Sequence, residues 1–215
     1  MSKIIVIGGT GFAGEAIVKE AAKRGHSVTS LSRTLPEEQI TGVTYLQGSA
    51  LDGHTRTRAL ENADIVVGTV SPRGDMAGQV AGLYEAVARE TALQNSRFVI
   101  IGGFSSLRPA ADKPRFFESG SVPAEYLQAA LEIAGIFDSL KQNSTPESQW
   151  VFISPAAVFG AYATVADTGT YHASNDVALF DDNGESKISG TDFALGVVDE
   201  IESAKHNHEN ISFAQ

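Results

Sequence analysis

Hydrophobic positions along the chain fall into two kinds of run that alternate. Lys3–Ile7, Ser27–Ser32, Val43–Leu46, Ile65–Val70, Phe98–Ile101 and Trp150–Ile153 are short, rich in β-branched or aromatic residues, and in places apolar almost throughout. Between them run stretches with apolar residues three and four apart. The first contains Ala13, Ile17, Val18, Ala21 and Ala22, and stops at Arg24-Gly25, where a basic last turn meets a glycine. His54–Leu60, Gln79–Leu93 and Pro123–Leu140 are of the same kind. The short runs predict strands buried on both faces, and the spaced runs predict helices. Their alternation predicts a parallel sheet with helices on both sides, wound by right-handed crossovers.

The tail breaks this rhythm. Val177–Phe180 and Ser186–Ile188 flank Asp182-Asn183-Gly184, which predicts a β-hairpin. A helix over Phe193–Ile201 and a last edge strand at Ile211–Phe213 follow. Gly103–Val122 and Pro155–Asp176 are loops of functional length, and both follow strand C-termini, where open α/β sheets bind ligands. The organisation expected is a single domain over residues 1–215, with 155–190 a loop and hairpin insertion on the substrate side.

Composition narrows the classes. The 215 residues include no cysteine, which excludes a disulfide framework, thiolate metal sites and a Cys nucleophile. Sixteen bases against 26 acids give a net charge of −10, a poor balance for neutralising nucleic-acid phosphates. The charge is uneven. Residues 1–150 carry 14 bases and 16 acids, and residues 151–215 carry 2 and 10, so a polyanionic ligand is easier to place in the first part. No apolar run reaches the length of a membrane span, and Met1–Ile7 is too short for a signal h-region. A cytoplasmic protein without membrane contact is the expectation.

The strongest chemical signal is Gly8-Gly9-Thr10-Gly11-Phe12-Ala13-Gly14, which lies between the first strand and the first helix. A glycine there permits the tight turn, another lets backbone approach a pyrophosphate, and Gly14 lets the helix pack on the strand. Unpaired N–H groups and the partial positive charge of the helix start suit phosphates. No Gly-Lys-Ser/Thr follows, so this is not a Walker A loop. The pattern predicts a Rossmann-type dinucleotide site, with Gly8, Thr10, Gly11, Phe12 and Gly14 as contacts. NAD binders place an acid at the end of the second strand to hold the ribose 2′-OH. Here Ser30-Leu31-Ser32-Arg33-Thr34 offers a guanidinium instead, which suits a 2′-phosphate. NADP(H) is therefore favoured, with NAD(H) as the other option.

The glycine turn resembles the Gly-Ala-Thr-Gly-x-x-Gly turn of atypical short-chain dehydrogenase/reductases. That group includes NmrA-like proteins, biliverdin reductase B-like flavin reductases and bacterial NADH-flavin reductases. Gly48-Ser49-Ala50-Leu51-Asp52 is similar to its Gly-Asp-x-x-Asp stretch by the adenine, although Ser49 replaces the first acid. Gly102-Gly103-Phe104-Ser105-Ser106-Leu107, Ser154-Pro155-Ala156, Thr168-Gly169-Thr170-Tyr171 and Ile188–Ala194 resemble later signatures of the group. The resemblance implies cofactor contacts at Leu51, Gly102 and Pro155, and topology places Thr69 and Val70, at the end of the fourth strand, near the cofactor's riboses. The resemblance also implies hydride transfer to a flavin, quinone or similar planar acceptor.

One departure matters for mechanism. The classical enzymes of the superfamily use Tyr-x-x-x-Lys, whereas this chain has Tyr126 with Ala130 in the place of the lysine. Alcohol and ketone chemistry depends on that pair; planar acceptors stabilise the added charge themselves. The alternatives are a non-catalytic NADP(H)-binding sensor like NmrA and an NAD-dependent epimerase- or dehydratase-like enzyme. Ser106, with Ser105, and Tyr126 are the candidate catalytic residues. Phe116, Phe117 and Tyr162 are candidates for an apolar pocket wall. His172 is a candidate gate. No metal site is expected, His206-x-His208 included. A homodimer stays open.

Overall fold

The computed structural model describes residues 1–215. Its centre is one eight-stranded sheet: β1 (Lys3–Ile7), β2 (Ser27–Ser32), β3 (Val43–Gln47), β4 (Ile65–Gly68), β5 (Arg97–Ile101), β6 (Trp150–Pro155), β7 (His172–Asn175) and β8 (Glu209–Ala214). The spatial order is β3-β2-β1-β4-β5-β6-β8-β7. All neighbours are parallel except β7 and β8. The helices are α1 (Phe12–Lys23), α2 (Gly53–Leu60), α3 (Val80–Gln94), α4 (Ala124–Asn143) and α5 (Gly190–Ser203). No helix is long and apolar enough to cross a membrane.

The apolar strands have a direct cause: each feeds two cores. Ile4, Val6, Val67, Val99, Ile101, Val151 and Ile153 pack with α1 and α5 on one face. Ile5, Ile7, Val66, Phe98, Ile100, Trp150 and Phe152 pack with α2, α3 and α4 on the other. Strand side chains alternate between faces, so a sheet covered on both sides needs apolar residues at successive positions. The chain winds outward from β1 in both directions, which puts the switch point between β1 and β4.

The tail differs from its expected form. The Asp181–Glu185 turn forms, with the Asp181 N–H donating to the Glu185 carbonyl at 2.8 Å. Its arms do not pair with each other. Val177 bridges to Arg108, and Lys187 bridges to Val158, so each arm is taken by one of the two long loops. Residues 211–213 are not at the edge: β8 lies between β6 and β7, and its Ile211, Ser212 and Phe213 are buried. The edge is β7, a polar strand within the expected Pro155–Asp176 loop, held by antiparallel pairing to β8.

Asp192 anchors this end of the molecule. It lies in the first turn of α5, fully buried. Its carboxylate accepts from the Thr168 N–H and hydroxyl, both at 2.7 Å, from the Gly169 N–H at 3.0 Å, and from the Gln215 amide. Burial alone pushes such a group up, but the Thr168, Gln215 and Gly169 donors outweigh it and hold Asp192 below its ordinary value. The Thr168–Tyr171 and Ile188–Ala194 signatures are thus two halves of one structural contact.

Candidate functional site

The expected site residues converge on the C-terminal edge of the sheet. The glycine turn follows β1, Arg33 follows β2, Leu51 precedes α2, Thr69-Val70 follow β4, Gly102 follows β5 and Pro155 closes β6.

The glycines of the turn do different jobs. Gly8 has φ +88°, a conformation that L side chains rarely adopt. A Cβ on Gly14 would lie 2.2 Å from the Gly8 carbonyl oxygen, and one on Gly9 would lie 2.4 Å from the Ser30 hydroxyl. These glycines are required by the turn's own packing. Gly11 is not. It has φ −81° and ψ 168°, ordinary extended backbone, and an added Cβ would meet only the Gly8 carbonyl oxygen, at 3.3 Å. Gly11 is also the N-cap of α1, where it supplies no side-chain acceptor. By contrast Asp52 caps α2 and Ser189 caps α5. The helix start therefore keeps uncapped N–H donors beside a surface left bare of side chain. That cradle fits a dinucleotide's pyrophosphate.

The floor of the turn is fixed by partners that sequence reasoning did not single out. The Thr10 N–H donates to the Ser32 hydroxyl at 3.2 Å. Tyr84, fully buried on α3, accepts from the Val70 N–H at 2.7 Å and donates to the Val70 carbonyl at 3.2 Å, which pins the end of β4. Burial pushes the Tyr84 phenol up, so it stays a neutral donor. The Thr69 hydroxyl and N–H both donate to the Ile7 carbonyl, at 2.9 and 3.0 Å, which ties the end of β4 to the end of β1. A lone Tyr in an apolar helix gives no local sign of this role.

Beyond β2, the Arg33 side chain is 53% exposed and forms an ion pair with Asp75, from the segment after β4. Leu51 is exposed, next to Asp52, whose carboxylate accepts from the Thr55 N–H at 2.8 Å to cap α2. Phe12, half-exposed, packs edge-on to Phe159 and closes the turn against the 155–190 segment.

At the far end the two candidate serines separate. Ser106 is 1% exposed, and its hydroxyl has no partner. Ser105 is part-exposed on the same single turn after β5. That turn is clamped from below. The buried Arg115 guanidinium donates to the Ser106 carbonyl and to Asp176 at 2.5 and 2.9 Å. Asp176 also accepts from Arg108 and from Asn210, each at 3.0 Å. Tyr126 stands at the start of α4 with its ring 56% exposed, and Ala130 one turn on is buried. Phe104 and Phe116 stack at 4.6 Å, with Phe180 edge-on at 6.2 Å. Phe116 thus joins an aromatic wall. Phe117 forms none of these ring contacts, and Tyr162 turns its ring back on Gly160. His172 lies exposed on β7. His206 and His208 diverge, one to the Glu200 carboxylate and the other to the Ser148 carbonyl.

A family model described as NAD(P)H-binding matches residues 8–204. The chain belongs to this NAD(P)H-binding family. Within it, the relatives fit the atypical short-chain dehydrogenase/reductase group that contains NmrA-like proteins. The uncharacterised protein YwnB of Bacillus subtilis strain 168 is 31% identical over 215 residues, spanning 98% of this chain and 97% of its own length. A solved structure from Streptococcus pneumoniae, named "putative NADH-flavin reductase", is 29% identical with a TM-score of 0.82, and 100% of each chain is covered. A protein from Burkholderia pseudomallei, named "putative exported protein", is 30% identical with a TM-score of 0.86, again over 100% of both chains. This NAD(P)H-binding protein is accordingly oxidoreductase-like, with a Rossmann fold and a nicotinamide cofactor.

Proposed function

We propose that the protein is an NADP(H)-dependent reductase that passes hydride to a planar acceptor such as a flavin or quinone. The observation that carries this reading is the bare Gly11 cradle at an uncapped helix start, combined with an exposed Tyr126 that has no cation one turn on. The NADH-flavin reductase name of the streptococcal relative supports the same kind of reaction. Gly8, Thr10, Gly11, Phe12 and Gly14 would hold the pyrophosphate, Leu51 would face the adenine, and Thr69, Val70, Gly102 and Pro155 would line the path to the nicotinamide. When bound, the cofactor supplies a hydride. The protein's residues position both partners and exclude water. A flavin or quinone accepts hydride as a delocalised anion and takes its proton from water, so no activated tyrosine is needed.

Cofactor choice rests on Arg33. Its guanidinium would exchange Asp75 for the 2′-phosphate, a charge-assisted contact. Half-exposure puts that contact at the low end, roughly 1.5 kcal/mol or about tenfold. Arg33→Ala should weaken NADPH by that factor in titration calorimetry and leave NADH unchanged. Equal losses for both cofactors would remove Arg33 from the 2′-phosphate site.

Tyr126→Phe tests the mechanism. General acid catalysis contributes about 10²–10⁴-fold where it operates. Steady-state reduction of riboflavin or a naphthoquinone should fall by less than about tenfold, below that range, and a simple ketone should not turn over with either form. A larger loss, or brisk ketone reduction by wild type, would show that another group replaces the lysine. If NADPH binds tightly and no acceptor is reduced, the sensor reading replaces this one.

A further inference from the structure

The aromatic wall beside the candidate nicotinamide end is built from three separate segments. Phe104 comes from the turn after β5, Phe116 from the loop that returns towards α4, and Phe180 from the segment after β7. Phe104 and Phe116 stack with centroids 4.6 Å apart and planes 24° apart; Phe180 meets Phe104 edge-on at 89°. Phe104 and Phe116 are half-buried, and Phe180 stays 49% exposed.

The chain holds this arrangement without a ligand. The Phe116 N–H donates to the Leu107 carbonyl at 3.0 Å, and the Phe117 N–H to the Ser105 carbonyl at 3.1 Å, so the loop folds back onto the turn. The Arg108 N–H donates to the Asp176 carbonyl at 2.9 Å and the Ala178 N–H to the Arg108 carbonyl at 2.8 Å, which draws the Phe180 segment alongside. Asp176 carries this junction with φ +59°, and its carboxylate takes the Arg108, Arg115 and Asn210 donors. A buried guanidinium, a residue in the left-handed region and two backbone bridges all act to place three rings that stay partly in solvent, Phe180 most of all. Exposed aromatic surface has a hydration cost that a flat ligand would remove, and ring pairs gain further from stacked or edge-on geometry.

We propose that Phe104, Phe116 and Phe180 form the acceptor subsite, and that it takes a fused-ring carbonyl compound of the isoalloxazine or quinone kind. The part-exposed Ser105 sits on the same turn as Phe104 and supplies a hydroxyl donor for a ring carbonyl. Buried Ser106 shapes the turn from beneath. Arg115 and Asp176 are positioning residues for the wall. This subsite rests on the planar-acceptor reading above, but its test does not require turnover.

Riboflavin is the probe, and equilibrium dialysis reads its binding, because phenylalanine rings are poor quenchers of flavin fluorescence. Wild-type protein saturated with NADP⁺ should retain riboflavin on dialysis. Phe180→Ala should weaken riboflavin by about fivefold or more, with NADP⁺ affinity unchanged. Phe180→Trp should keep riboflavin affinity within about twofold of wild type, since the indole presents a comparable face. Circular dichroism of both variants should match wild type, because Phe180 is half in solvent. Absence of riboflavin binding by wild type, or equal binding by Phe180→Ala, overturns the subsite. So does a parallel loss of NADP⁺ affinity. If riboflavin binds as expected while no planar acceptor is reduced by NADPH, the subsite stands and the reductase reading fails.

Discussion

Gly11→Val should abolish measurable NADPH binding, by more than about 100-fold, while the protein stays folded. The native turn needs only a small adjustment: φ at Gly11 is ordinary, and its added Cβ meets only the Gly8 carbonyl oxygen, at 3.3 Å, which must give by a few tenths of an ångström. Loss of glycine at an N-cap costs about 1 kcal/mol at most. The branched side chain would instead fill the surface that pyrophosphate must touch, and would screen the uncapped N–H groups of α1. Gly14→Ala is the contrast. Its Cβ would lie 2.2 Å from the Gly8 carbonyl oxygen, so binding and thermal stability should fall together. Titration calorimetry with a parallel melting curve separates the two. Normal NADPH binding by Gly11→Val would mean that the cofactor does not lie in this cradle.

Asp192→Ala should lower stability by about 3 kcal/mol, or roughly 6–12 °C in Tm for a chain of this size. The deletion leaves the Thr168 N–H and hydroxyl, the Gly169 N–H and the Gln215 amide without their acceptor. Water reaches some of these donors, because Thr168 and Gly169 are exposed, which keeps the loss below that of a wholly buried network. The pH dependence follows from the direction of the shift. Asp192 is held below its ordinary 3.8, so its contribution is full above that value and is lost as pH falls through the lower folded one. The Tm gap between wild type and Asp192→Asn should be flat above about pH 5 and shrink below 3.8. A gap that grows on acidification would mean that Asp192 is not ionised in the folded protein.

The sequence carried the sheet and the cofactor turn with little ambiguity. Strands such as Ile4–Ile7 and Val151–Ile153 must be apolar on both faces, because each face has its own core, and that leaves a continuous hydrophobic run. The glycine turn announces itself because backbone geometry and close approach exclude every other residue at Gly8 and Gly14. The position of Arg33 beside the glycine turn was legible from its spacing, since the end of β2 lies beside the end of β1 whenever the two pair in parallel. The helix expected over Phe193–Ile201 formed but starts earlier, at Gly190, where the Ser189 hydroxyl caps it by accepting from the Asp192 N–H while the Asp192 carboxylate reaches outward to Thr168.

Other features were decided only when distant segments met. The Asp181–Glu185 turn is local chemistry and formed as its residues require. Its arms had a choice of partners, and Arg108 and Val158, far away in the chain, took them. β7 has no apolar alternation to betray it; its exposed residues become a strand because β8 offers an open edge. Which serine of Ser105-Ser106 faces solvent was set by Arg115 and Asn210 pulling on the Ser106 carbonyl, contacts spanning 9 and 104 residues. The wall of Phe104, Phe116 and Phe180 likewise depends on loops knitted together by Asp176. Periodicity and turn chemistry act over a few residues, and those the sequence determined by itself. Pairing of loops is a competition among remote segments for the same donors and the same apolar surface, and only the folded chain resolves it.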